Sequence, residues 1–161
     1  MMISDAYLNE IRARLEGIGH LDVSIVGAPD AARLCVQSKS LGGELRVTRE
    51  AEPASLHDVK FISHAFSDIP RLLDALAGLV LSAETVAAID ARVRAASPAP
   101  WTAFIQSDGG SGGADVIRVS ENDNEADMYL WIGPDLAPSA IFRFVAEARQ
   151  DVPALLAAAR L

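Results

Sequence analysis

Residues 61–75 read FISHAFSDIPRLLDA and residues 144–158 read FVAEARQDVPALLAA. Aligned without a gap, they coincide at Phe61/Phe144, Ala65/Ala148, Asp68/Asp151, Pro70/Pro153, Leu72/Leu155, Leu73/Leu156 and Ala75/Ala158. Self-similarity of this kind decides the unit from which a fold is built, so it precedes any local assignment. A second match lies upstream. Ile11-Arg12-Ala13-Arg14-Leu15 parallels Ile89-Asp90-Ala91-Arg92-Val93 at a slightly smaller offset, as if a few residues had been inserted between the two matches.

Between these helical ends each half carries three short runs of alternating polarity, the pattern of half-buried strands. In the first half Leu21, Val23 and Ile25 alternate with Asp22 and Ser24, Leu34 and Val36 with Arg33 and Cys35, and Leu45 and Val47 with Arg46 and Thr48. In the second half the runs are 101–105, 115–119 and 128–132. In the last of them Met128, Leu130 and Ile132 share one face, and Tyr129 and Trp131 the other. The helices carry their own start and stop signals. Ser4 precedes a stripe of Leu8, Ile11, Leu15 and Ile18 that ends near Gly17 and Gly19, and Ser82 precedes Val86, Ile89 and Val93. Ser55-Leu56-His57-Asp58 resembles a capping box ahead of Val59, Ile62 and Phe66.

The two Asp-Ile/Val-Pro motifs predict corners. Proline has no amide to donate and disfavours helix in the residue before it, whereas aspartate accepts from the free amides of a new first turn. Each motif is therefore expected to end one helix and start another. The fold class that follows is α+β, with two tandem α-β-β-β-α-α units, residues 1–80 and 81–161, forming one integrated pseudo-twofold domain. Its sheet is mostly antiparallel with helices packed on it. A unit of about 80 residues buries only a modest share of its surface, so the halves are expected to cover one another across the short apolar connection 78–83.

The whole chain has 161 residues, half of them apolar, and a formal net charge of −8. That balance opposes nucleic acid and anionic membranes and favours a basic protein partner. No apolar stretch approaches the roughly 20 residues of a membrane helix. One cysteine, Cys35, and an amino terminus without a basic, then apolar, leader point to a cytoplasmic protein.

Catalytic signals are sparse. His57 and His64 lie seven residues apart on one helical face, but a break at Asp68 would spoil any extension of that line. Their counterparts in the second half are Ala140 and Glu147, so no symmetric site arises. His20 reads as a turn residue and Cys35 as a small strand side chain. The segment 109–113, GGSGG, lacks both a nucleophile-elbow context and the Gly-Lys-Ser/Thr ending of a phosphate loop, and reads as a hairpin connection. No spacing singles out Asp108, Asp115 or Asp135. The acidic run Glu121-Asn122-Asp123-Asn124-Glu125-Ala126-Asp127 places oxygens at alternating positions, yet lacks the glycine and distal glutamate of a calcium loop. It reads as a solvated turn or a partner-facing acidic patch. No catalytic, metal or cofactor residues are assigned.

The segment Ala96-Ser97-Pro98-Ala99-Pro100-Trp101, followed by residues 144–156, FVAEARQDVPALL, resembles the small bacterial and phage proteins called Ea22-like. Those carry an A-T-P-G-P-W turn and an F-I-A-x-A-R-x-D-V-P-A-L-L helix. The likeness covers most of residues 83–161 and recurs in part at 58–77. Ala99 stands where glycine is usual, and the first half has no Pro-Trp turn. The family has no established activity, so the resemblance implies a build more than a function. Trp101 itself reads as a packing residue beside a proline-stiffened turn, with partner contact as its alternative.

Two functions follow from these features. One is a non-enzymatic interaction protein, of an inhibitor or immunity-like kind, using Trp101, Glu121, Asp123, Glu125, Asp127, Tyr129 and Trp131 against a basic partner. Its basis is charge asymmetry: residues 1–80 carry eight bases and eleven acids, residues 81–161 six and eleven. The other is a small hydrolase or ligand-binding enzyme with a site between the units, marked by His57 or His64 and converging carboxylates. Because such a chain contains its own pairing, it is expected to be a monomer or a weak homodimer.

Overall fold

The structure, a computed structural model, describes residues 2–19, 22–26, 33–37, 42–49, 54–109 and 113–160. In chain order these form α1 (Asp5–Ile18), β1 (Asp22–Val26), β2 (Arg33–Gln37), β3 (Gly42–Thr48), α2 (Leu56–Leu76), α3 (Ala83–Ala95), β4 (Thr102–Phe104), β5 (Val116–Arg118), β6 (Tyr129–Ile132), β7 (Asp135–Leu136) and α4 (Ser139–Ala159). Single 3₁₀ turns sit at Gln106–Asp108 and Asn124–Ala126. The class is α+β, with antiparallel strand pairings throughout.

The sheets meet edge to edge, a choice the alternation of residues leaves open. β3 pairs with β6 antiparallel, Leu45 opposite Ile132 and Thr48 opposite Tyr129, within the order β1-β2-β3-β6-β7. On the other edge of β6, Met128 exchanges backbone hydrogen bonds of 2.9 and 2.8 Å with Ile117 of β5, which pairs with β4. The carbonyl of Leu130 accepts from the Ala137 amide on that same edge. The alternation of β6 holds: Met128 and Leu130 are buried, whereas Tyr129 and Trp131 are half-buried on the opposite face. The Trp131 indole Nε1 donates to Thr48 Oγ1 at 2.8 Å and so fastens β6 to β3.

Neither proline motif makes a corner. α2 and α4 are each continuous 21-residue helices, with Pro70 and Pro153 inside them. An interior proline costs about 3 kcal/mol, and burial on both sides of it outweighs that cost. Phe61, Ile62, Phe66, Ile69 and Leu72 are buried along α2, and Phe144, Val145, Ala148, Val152 and Leu155 along α4. The two helices pack on each other, Phe66 against Phe144 with ring centroids 4.9 Å apart. Each run of strands is therefore followed by one long helix, and the expected α-β-β-β-α-α order is corrected to α-β-β-β-α in residues 1–80 and to α-β-β-β-β-α in residues 81–161, where β7 is a fourth strand.

Other local expectations divide. Ser4 and Ser82 cap α1 and α3, accepting from the amides of Tyr7 and Thr85. Gly19, at φ 69°, closes α1 in a region that side chains disfavour. Ser55 makes no side-chain cap, and the Asp58 carboxylate accepts from Ser97 and does not complete a capping box. The connection after α2 is not covered by the core: Leu79 and Val80 are exposed, Val80 at 91 %. His20, the middle of the 109–113 segment and the Cys35 side chain lie outside the described residues.

Candidate functional site

The polar groups that sequence spacing singles out are largely spent inside the fold. Asp58, fully buried, accepts 2.7 Å hydrogen bonds from both the amide and the hydroxyl of Ser97, and a 3.4 Å contact from Arg49. Arg149 lies over the Phe61 ring and donates to the carbonyls of Ser97 and Val93, closing the open end of α3. Burial lowers its guanidinium pKa, and Asp58 opposes that shift. Asp58, Ser97 and Arg149 thus lock the start of α2, the end of α3 and the middle of α4 together.

The two motif aspartates behave alike. Asp151 accepts from Tyr7 Oη at 2.6 Å and from Arg14 at 2.8 Å. Asp68 accepts from Arg92 through both oxygens, at 2.9 and 2.8 Å. Burial first, then the hydrogen bond to Asp151, raises the Tyr7 phenol, and burial also raises the Glu147 carboxyl alongside. Because α2 runs on past Pro70, His64 and Asp68 stand one turn apart after all. Burial, then Arg92, lowers the His64 imidazole. His57 is exposed further along. The oxygens of Asp115 are taken by the Gln106 amide and the Ser139 hydroxyl, and Asp108 pairs with Arg143, whose hydrogen bond lowers the Asp108 carboxyl. Among the described residues no group of three His, Cys, Asp or Glu side chains is disposed to hold a metal.

The residues read as a partner surface separate into two sets. Trp101 is 1 % exposed, edge-on to Phe61 at 5.5 Å, and is a core residue that has no face to offer a partner. Asp127 is buried and paired with Arg118, so it belongs to the base of the turn. Glu121, Asp123 and Glu125 remain in solvent. Asp123 also accepts from the Glu125 amide, winding the turn. Tyr129 and Trp131 lie half-buried with ring centroids 6.5 Å apart.

One residue of this surface escapes notice in the sequence. Phe104 is 43 % exposed, with the Arg118 guanidinium 4.8 Å from its ring centroid. Asp127, Arg118 and Phe104 therefore form a contact chain from the acidic turn to an exposed aromatic ring. The signal was present in the strand alternation, where Trp101 and Ile105 point inward and Phe104 outward. No helix among the described residues is long and apolar enough to cross a membrane. No family model matches the chain, and neither a curated protein nor a solved structure matches it.

Proposed function

We propose that the chain is a non-catalytic protein-interaction module of an inhibitor or immunity-like kind, made of two diverged copies of one unit, residues 1–80 and 81–161, and akin to the Ea22-like proteins. The duplication is supported by Pro70 and Pro153 occupying the fifteenth position of α2 and of α4, and by the antiparallel meeting of β3 with β6. The interaction surface is the turn bearing Glu121, Asp123 and Glu125 with the neighbouring Phe104, and its partner is a basic protein. The observation that carries this reading is the division of polar groups: Asp58, Asp68, Asp127 and Asp151 are consumed in internal pairs, whereas the turn carboxylates stand in solvent. An exposed aromatic ring rimmed by charge is the composition of a contact patch, and the acidic field speeds encounter with a basic partner. The α2–α4 interface is filled by Phe66, Phe144 and their neighbours, which gives no support to a hydrolytic cleft there.

The test is affinity capture at low and high salt with the native chain and with Glu121→Gln/Asp123→Asn/Glu125→Gln. Loss of salt-sensitive basic partners in the variant is expected. Recovery of the same partners in the same amounts overturns the assignment of this surface.

A further inference from the structure

In a chain of net charge −8, basic side chains are scarce, and most of those among the described residues are used. Arg14, Arg49, Arg92, Arg94, Arg118, Arg143 and Arg160 pair with carboxylates, Arg46 and Arg149 donate to backbone carbonyls, and Arg12 donates to Asn9. Among the described residues Lys60 and Arg71 are left with no hydrogen-bond or ion-pair partner, and both are exposed. They share one face of α2. At 100° per residue, His57, Lys60, His64 and Arg71 fall within about 60° of arc, over about 21 Å of helix. Of the carboxylates bordering this face, Asp68 gives both oxygens to Arg92, and exposed Asp74, three residues past Arg71, forms no ion pair with it, so Lys60 and Arg71 stand without a bonded partner. His64, lowered chiefly by burial, lies in the opposed fields of Arg92 and Asp68, with Arg71 and Lys60 adding to that of Arg92. At the matching positions of α4 stand Ala140, Arg143, Glu147 and Ala154, and Arg143 is already held by Asp108. The basic stripe belongs to the first unit alone, as the acidic turn belongs to the second.

We propose that these two uncompensated surfaces are complementary, the Lys60/His64/Arg71 face of α2 receiving the Glu121–Glu125 turn of a second copy of this chain. This rests on the reading of the turn as a docking surface and places the basic face it meets on a second copy of this acidic chain, not on a separate basic protein. Exposed ion pairs are individually weak and are screened once the Debye length falls to about 8 Å near 0.15 M salt. The association is therefore salt-sensitive and concentration-dependent, and unlike a permanent interface it leaves each chain folded by itself.

Light scattering over a concentration series at low ionic strength tests this, using the native chain, Lys60→Glu/Arg71→Glu, and Glu121→Lys/Glu125→Lys. All four positions are exposed, and circular dichroism checks that each variant is folded. The native chain is expected to gain mass with concentration and to lose that gain in high salt. Each charge-reversed variant alone is expected to stay monomeric. Mixed, the two variants are expected to associate, because each acidic surface then meets a basic one. A native chain that is monomeric at low salt, a Lys60→Glu/Arg71→Glu variant that associates like the native chain, or a mixture that does not associate overturns the proposal. Should Glu121→Lys/Glu125→Lys abolish association or partner capture while Lys60→Glu/Arg71→Glu does not, the turn remains a docking surface and the α2 stripe is not its partner.

Discussion

Arg14 of α1 donates to Asp151 of α4 at 2.8 Å, and Arg92 of α3 donates to Asp68 of α2 at the same distance. Arg14 and Arg92 occupy the same place in the two Ile-x-Ala-Arg runs, and Asp68 and Asp151 the same place before the two helix-interior prolines. Each pair joins the first half of the chain to the second. The aspartates are nearly inaccessible, so removing the arginine of either pair leaves a carboxylate that water barely reaches.

Asp151→Ala is expected to cost about 3 kcal/mol, because it strands both Arg14 and the Tyr7 hydroxyl. Tyr7→Phe removes one hydrogen bond and is expected to cost about 1 kcal/mol. Urea denaturation of the two single variants and the double variant checks both values. The double variant should fall short of their sum, since the two side chains share one carboxylate.

Pro70→Ala and Pro153→Ala separate a continuous helix from a corner. Within a helix, alanine restores an amide donor and relieves a clash, so each variant is expected to gain stability, by up to about 3 kcal/mol. A drop in thermal midpoint for either would mean that the proline begins a helix there.

The two aromatic residues at either end of β4 should respond in opposite ways. Trp101→Ala empties a buried site and is expected to cost about 4 kcal/mol. Phe104→Ala, at the surface, is expected to change stability by no more than about 0.5 kcal/mol. Its effect belongs in partner capture, where the ring beside the acidic turn should be missed.

Two pH windows follow from the buried clusters. The Tyr7 phenol is held protonated past its ordinary value of 10.0, chiefly by burial, so above pH 10 the native state keeps a proton that the unfolded chain loses. Stability is then expected to fall as pH rises past 10, and Tyr7→Phe to flatten that fall. His64 is shifted below 6.5 by burial and Arg92, so its contribution is present above pH 6.5 and is lost as pH falls through its lowered native value. Thermal midpoints across pH for the native chain, Tyr7→Phe and His64→Gln check both signs.

Much of the architecture was legible without coordinates. The alternation of 101–105, 115–119 and 128–132 located β4, β5 and β6, and the caps at Ser4 and Ser82 located two helix starts, because both signals rest on interactions between residues close in the chain. The prolines misled for the same reason. Local chemistry favours a corner at Asp68 and Asp151, and only the apolar stripe buried on both sides of each proline makes a continuous helix the lower state. Asp58 resembles a cap until Ser97, distant in sequence, takes its oxygens.

The partner surface divides along the same line. Composition alone determined that the chain is acidic and that its second half, with fewer bases for the same number of acids, carries the larger net negative charge, and spacing alone placed Glu121, Asp123 and Glu125 in a turn. Which carboxylates reach solvent, that Trp101 is buried while Phe104 is not, and that Lys60 and Arg71 remain unpaired on one helical face were decided by tertiary structure. Exposure and ion pairing depend on what distant segments bring alongside a residue, and a linear order of residues does not contain that information.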